Sequence, residues 1–209
     1  MRRNPVPKRC EGLRPKVFNR AFTLVELLVV IVIIGILLAL VSPAFQGIMM
    51  GTALTRGGQT VSDQLALGRQ YAVSQSLPVD VRFVLMPANC RGIQLWSTSP
   101  TNTTIPVAVS RLVTLPDGVL ISTNATLSPL ISSSNPNIHQ GTAAFGVLGT
   151  FSYYDFHFRP GGGTDLPFNS INNFVTLTYT RYATNSTLPA NYCIVQIDPA
   201  DGRVKAYRP

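Results

Sequence analysis

The sequence predicts an α+β protein, with one long N-terminal helix followed by an antiparallel β domain. Three observations lead there. Residues 22–41 are an apolar run, residues 61–72 repeat apolar or small side chains every three or four positions, and from Val79 the apolar period shortens to two. The chain has 209 residues, enough for one domain with a real core. Only 12% of residues are charged, about half the ~25% usual for a soluble domain. Apolar residues make up 45%, and Ser, Thr and Asn supply much of the remaining polarity. This composition excludes a disordered acidic chain, a collagen-like repeat and a cysteine-stapled mini-protein.

The formal net charge is +8, and its location matters more than its size. Residues 1–21 hold seven basic side chains (Arg2, Arg3, Lys8, Arg9, Arg14, Lys16, Arg20) and one acid, Glu11, for a local charge of +6. The remaining residues carry only +2. Pro5, Pro7, Gly12 and Pro15 make the basic segment a poor helix former. It reads either as a cytoplasmic leader or as a nucleic-acid-binding arm, and the apolar run directly after it decides for the leader. Residues 22–41 contain a single ionisable group, Glu26. Twenty helical residues span a hydrocarbon core of about 30 Å. A secretory signal has an apolar stretch of only ~7–15 residues and a small-residue cleavage site. The segment after Val41 matches such a site weakly. By the positive-inside rule residues 1–21 face the cytoplasm and the bulk of the chain lies across the membrane.

Glu26 stands where an acid is costly, on the order of 2.5–3.5 kcal/mol at a membrane helix centre and less near the interface. It either snorkels toward the headgroups or meets a positive partner from another chain. An α-amino group created by cutting before Phe22 would be such a partner, since each charge would otherwise be buried alone.

The helix is expected to continue past the span. Pro43 should kink or loosen it. Val61, Leu65, Gly68 and Ala72 share one face, Gly57-Gly58 weakens the middle, and Leu77-Pro78 stops it. The expected domains are a leader (1–21), the membrane half of the helix (22–41), its outer half (42–77) and a β head (78–209). In the head, Val79, Val81 and Phe83 mark a half-buried strand. Further strands are expected at 93–96, 107–115, 119–122, 153–158, 174–182, 192–198 and 203–208. Residues 123–140, rich in Ser, Asn and Pro, read as a long loop. Pro199-Ala200-Asp201-Gly202 reads as a hairpin turn with Gly202 at positive φ.

No catalytic constellation stands out, so no enzyme activity and no cofactor are expected. His139 and His157 are the two histidines, and a zinc site needs about four ligands at fitting spacing. Gly161-Gly162-Gly163 lacks the GK[ST] of a phosphate loop and reads as a turn. Sequons at Asn102, Asn124 and Asn185 arise readily by chance in a Thr-rich chain. Cys10 lies in the leader. Cys90 and Cys193, on two candidate strands, are open to either a disulfide or two buried thiols.

The basic leader, Ala21, Phe22-Thr23-Leu24-Val25-Glu26-Leu27, the apolar run with Gly35 and the closing Pro43 resemble the N-terminus of type IV prepilins and type II secretion pseudopilins. The resemblance implies cleavage by a prepilin peptidase between Ala21 and Phe22 and methylation of the new Phe22 amine. It makes Glu26 the assembly glutamate. The family usually has Gly before the cut where this chain has Ala21, another small residue. The size of the β region, the turn at residues 158–163 and the closing hairpin resemble the H-type minor pseudopilins and their FimT-like relatives, which implies a two-sheet head. The implied function is a minor subunit of an inner-membrane, periplasm-facing secretion pseudopilus. Its implied partners are the peptidase, other major and minor pseudopilins, the assembly platform and the bilayer. Two other readings stand beside it. FimT-like pilins bind DNA through a C-terminal Gly-Arg-x-Arg element. Here Gly202-Arg203-Val204-Lys205 with Arg208 departs from it, Lys205 losing the bidentate fork of Arg. The head's charge of +2 also speaks against nucleic acid. The third reading is a membrane-anchored envelope protein that never assembles.

Overall fold

The computed structural model describes residues 22–87, 89–99, 102–132, 135–168 and 171–209. The chain divides after Ala44 into two compact units. Helix α1 (Leu24–Gln75) runs through both, and Pro43 lies within it without ending it. Among the described residues no helix is long and apolar enough to cross a membrane. Side chains 40–46 lie outside the described set, so the described apolar stretch of the helix stops at Ala39.

The end of α1 is set locally. Ser76 takes φ 54°, the left-handed conformation that terminates a helix. The Leu77 N–H then reaches back to the Ala72 carbonyl at 3.3 Å, and Pro78 prevents resumption. In the second unit the helix buries Leu54, Val61, Leu65 and Ala72 completely. Gly57, Gly58 and Gly68 continue this face. A Cβ on Gly58 would meet Cys193 Sγ at 2.5 Å, and one on Gly68 would meet Leu95 at 3.1 Å. The glycines expected to weaken the helix, Gly57 and Gly58, leave room for the sheet side chains Val119, Leu177 and Cys193.

Ten strands follow among the described residues: β1 (Val79–Met86), β2 (Asn89–Ser99), β3 (Asn102–Ala108), β4 (Val113–Thr114), β5 (Val119–Ile121), β6 (His139–Ala144), β7 (Thr150–Phe158), β8 (Phe174–Tyr179), β9 (Cys193–Ile197) and β10 (Val204–Tyr207). All pairings are antiparallel, so the layout is α+β. The expected two sheets are instead one, ordered β10-β9-β8-β5-β2-β1-β7-β6, with β3 and β4 also pairing β2. The join is narrow, since β5 meets β2 through the single registered pair Ile121 and Cys90. A strand of eleven residues such as β2 is long enough to offer one margin to β1 and share the other among three short strands.

Three other expectations change. The strand at 107–115 is two, β3 and β4, parted at Val109-Ser110, whose N–H groups both bond the Leu95 carbonyl. Residues 123–140 are not all loop. They contain a short 3-10 turn (Pro129–Ile131), bury Leu127, Leu130 and Ile131, and lead into β6. The Ser128 hydroxyl accepts the Thr176 N–H at 3.0 Å, tying this segment to β8. Finally, β1 is covered on both sides, since Arg82 and Val84 are buried as well as Val79, Val81 and Phe83.

Candidate functional site

The start of α1 is the first candidate. The Thr23 hydroxyl accepts the Glu26 N–H at 3.2 Å, and the Leu27 N–H bonds the Thr23 carbonyl at 3.2 Å. Thr23 is therefore an N-cap and Glu26 the third helical residue, half of a capping box. An acid in the first turn also faces the positive end of the helix dipole. The signal, T-x-x-E before an apolar run, is readable in the sequence. Phe22 is 74% exposed, and the large apolar side chains from Leu24 to Leu38 are exposed around the helix. Ala21, the residue before the expected cut, lies outside the described residues, as does the whole leader. The side chain of Pro43 does too.

The C-terminal hairpin is the second candidate. Gly202 adopts φ 69°, as the turn reading required. It sits in a three-way junction. A Cβ there would collide with the Gly162 carbonyl, and one on Gly163 would lie 2.7 Å from the Ala200 carbonyl. Arg69 of α1 donates its Nε–H to the Asp201 carbonyl at 2.6 Å. The Gly161-Gly162-Gly163 turn thus makes room for the hairpin backbone. Arg203 and Lys205 line one cleft of about 280 Å³ with Phe168, Ile171 and Tyr207. Arg203 is paired with Asp201 at 2.8 Å. Arg208 is not brought to them, because its guanidinium bonds the Thr55 hydroxyl on α1.

Cys90 and Cys193 are free and buried. Cys90 pairs in register with Ile121, Ile121 with Leu177, and Leu177 with Cys193. They are therefore three strand spacings apart, roughly 14 Å at ~4.8 Å per spacing. A disulfide needs Cα atoms within ~7 Å, so the sheet order rules out the bridge that the sequence left open. Burial pushes the Cys90 thiol up to about 12. It raises Cys193 as well, partly opposed by Arg208.

A third cluster escapes sequence reasoning. Arg82, 5% exposed, lies between the rings of Trp96 (4.2 Å) and Tyr153 (4.3 Å). Asp155 is 3.6 Å from its guanidinium and Asp80 3.9 Å. His139 pairs with Asp155 at 3.5 Å and His157 with Asp165 at 3.1 Å. Burial, then the nearby Asp80, pushes Asp155 up to about 6, against lowering by Arg82 and His139. Burial raises Asp80 too. Alternation hints at an outward Arg82, but only the register places Asp155 beside it and His139 beyond. Among the described residues no group of His, Cys, Asp or Glu is placed to hold a metal.

The family model for the prokaryotic N-terminal methylation motif matches residues 18–42. No curated protein and no solved structure matches the chain. The matched segment covers the Phe22–Glu26 helix start and the apolar run, so the motif and the geometry concern the same residues. Such a motif indicates a type IV pilin-like or pseudopilin precursor, one processed by a prepilin peptidase for pilin-like assembly.

Proposed function

We propose that the chain is a minor pseudopilin of the H type. It inserts once in a bacterial inner membrane with residues 1–21 in the cytoplasm and the head in the periplasm. A prepilin peptidase cuts between Ala21 and Phe22 and methylates the Phe22 amine. The mature chain then joins other pseudopilins in a short secretion pseudopilus. We assign it no catalytic role.

One observation carries this reading: a capped helix start at Thr23–Glu26 is followed by apolar side chains exposed on every side, within the methylation motif. Exposed apolar surface on this scale needs a bilayer or neighbouring helices to cover it. Glu26, three residues into the helix, is close enough to the N-terminus to meet the charged amine of an adjacent subunit. Mass spectrometry of the N-terminus of membrane-extracted protein tests processing. The expected species begins with methylated Phe22, and a chain retaining Met1 in cells with active peptidase would refute it. Glu26→Ala should abolish incorporation into filaments, whereas an envelope protein that never assembles would be unaffected.

DNA binding is the second reading, favoured by the placement of Arg203, Lys205 and Tyr207 along one cleft. The Asp201 pairing of Arg203 and the engagement of Arg208 with α1 weaken it. A mobility-shift assay with the Arg203→Ala/Lys205→Ala variant separates the two, because phosphate contacts would make binding salt-sensitive and dependent on both residues.

A further inference from the structure

The two margins of the sheet are finished differently. At β10, Arg203 and Lys205 supply charge, and α1 holds the hairpin through Arg69 and Arg208. Strand β6 forms the opposite margin, and among the described residues it shows no such protection. Residues 140–154 contain no charged residue and no proline. The register with β7 runs from His139–Asp155 to Ala144–Thr150 without a bulge. Most of β6 is exposed, and among the described residues no strand pairs with its outer side. Sheets ordinarily blunt an edge with Lys, Pro, a bulge or a covering segment, because free N–H and C=O groups recruit another strand.

The loop after β6 adds a second observation. Phe145 is buried, with its ring edge-on to Trp96 and Tyr153 at 6.3 Å. Its N–H bonds the Gly149 carbonyl at 2.8 Å, and Gly146 and Gly149 take positive φ. This anchored loop holds Val147 fully exposed and Leu148 half exposed. A cleft of about 430 Å³, lined by Leu85, Gln140, Thr142, Ser152 and Tyr154, lies on the sheet face across β1, β7 and β6 and reaches this margin.

We propose that the β6 margin is a self-association surface on which a second copy of this chain adds its own β6 antiparallel, continuing the sheet across two molecules. The strand is complementary to itself. Centred on Thr142, the pairing sets Thr142 against Thr142, Gln140 against Ala144 and Gly141 against Ala143. No like charges meet, and a cross-strand Thr pair is favourable. The ionisable His139 falls at the end of the ladder. Each loop tip reaches past the start of the partner's β6, which gives Val147 and Leu148 a surface to cover them. Main-chain bonds supply the attraction, and the two joined clefts supply side-chain fit. A two-fold contact of this kind closes on itself. The inference goes beyond the pseudopilin reading and does not depend on it.

Cysteine cross-linking of the full chain in detergent tests the pairing. Thr142→Cys, with Cys10→Ser to remove the leader thiol, is compared with Ser186→Cys in an exposed loop. Thr142→Cys is expected to give a covalent dimer at least about tenfold faster, as for thiols held together rather than meeting by collision. Adding Gln140→Lys or Ala144→Lys should bring it back to the control rate. In the unaltered chain, β6 amides should exchange more slowly with rising concentration while β10 amides do not change. Equal cross-linking of the Thr142→Cys and Ser186→Cys chains, indifference to both lysines, or concentration-independent β6 exchange would overturn the proposal. If association through α1 alone brings chains together, all of these negative outcomes appear while processing at Phe22 is unaffected.

Discussion

Arg82 occupies the interior of the head as a cation stacked between Trp96 and Tyr153 and paired with Asp155. Its surroundings carry a pH signature. Asp155 is raised from an ordinary 3.8 to about 6, so across that interval the folded chain holds more protons than the unfolded one. By linkage, this group's contribution to stability is greatest at low pH and is lost as pH rises through the window. Asp155→Asn removes the titration. The variant is therefore expected to gain stability relative to the parent as pH rises from about 4 to 6, readable as a difference in melting temperature. A difference that is flat or of opposite sign would contradict the assigned environment. The cysteines give a second prediction at this scale. Both thiols are buried and free, so native protein should resist alkylation at Cys90 and Cys193 and react at both after unfolding, without reductant.

At the scale of elements, α1 and the sheet meet through glycines. Gly58→Ala would improve helix propensity, yet its Cβ would press on the buried Cys193 Sγ at 2.5 Å. We expect net destabilisation of about 1–3 kcal/mol from overpacking. Denaturant unfolding of Gly58→Ala, Cys193→Ala and the double variant should show favourable coupling, because removing Sγ relieves the clash. The hairpin turn is equally constrained. Gly202→Ala sets a Cβ against the Gly162 carbonyl at φ 69°, and a loss of about 1–3 kcal/mol is expected. The stop of α1 at Leu77-Pro78 and the Gly202 turn were legible because Pro and Gly act on their own backbone. Strand β6 was not legible. His139-Gln140-Gly141-Thr142-Ala143-Ala144 has little β propensity, and its pairing comes from the hairpin with β7. Nor did Ser- and Pro-rich composition reveal that Leu130 and Ile131 are core residues.

At the scale of the molecule, the unit from Phe45 to Pro209 contains the whole described hydrophobic core, including the helix residues Leu54 to Ala72. A chain beginning at Phe45 is expected to fold by itself. It should unfold in one cooperative transition with coincident circular dichroism and fluorescence midpoints. A chain from Phe45 that fails to fold, or melts well below the head of the full chain, would show that the core depends on residues before Phe45.

Legible in the chain alone were the basic segment 1–21, the apolar run with Glu26 near its start, the helix stop at Leu77-Pro78 and the strand from Val79. These depend on side-chain period, backbone-restricted residues and charge placement, all local in the chain. It took the folded chain to show that the strands form one sheet, that Cys90 and Cys193 stand apart, that Arg208 turns to α1 while Arg203 and Lys205 share a cleft, and that Arg82 is enclosed. Each of these depends on which distant strands lie side by side and in what register, and shifting a register by one residue sends every side chain to the opposite face.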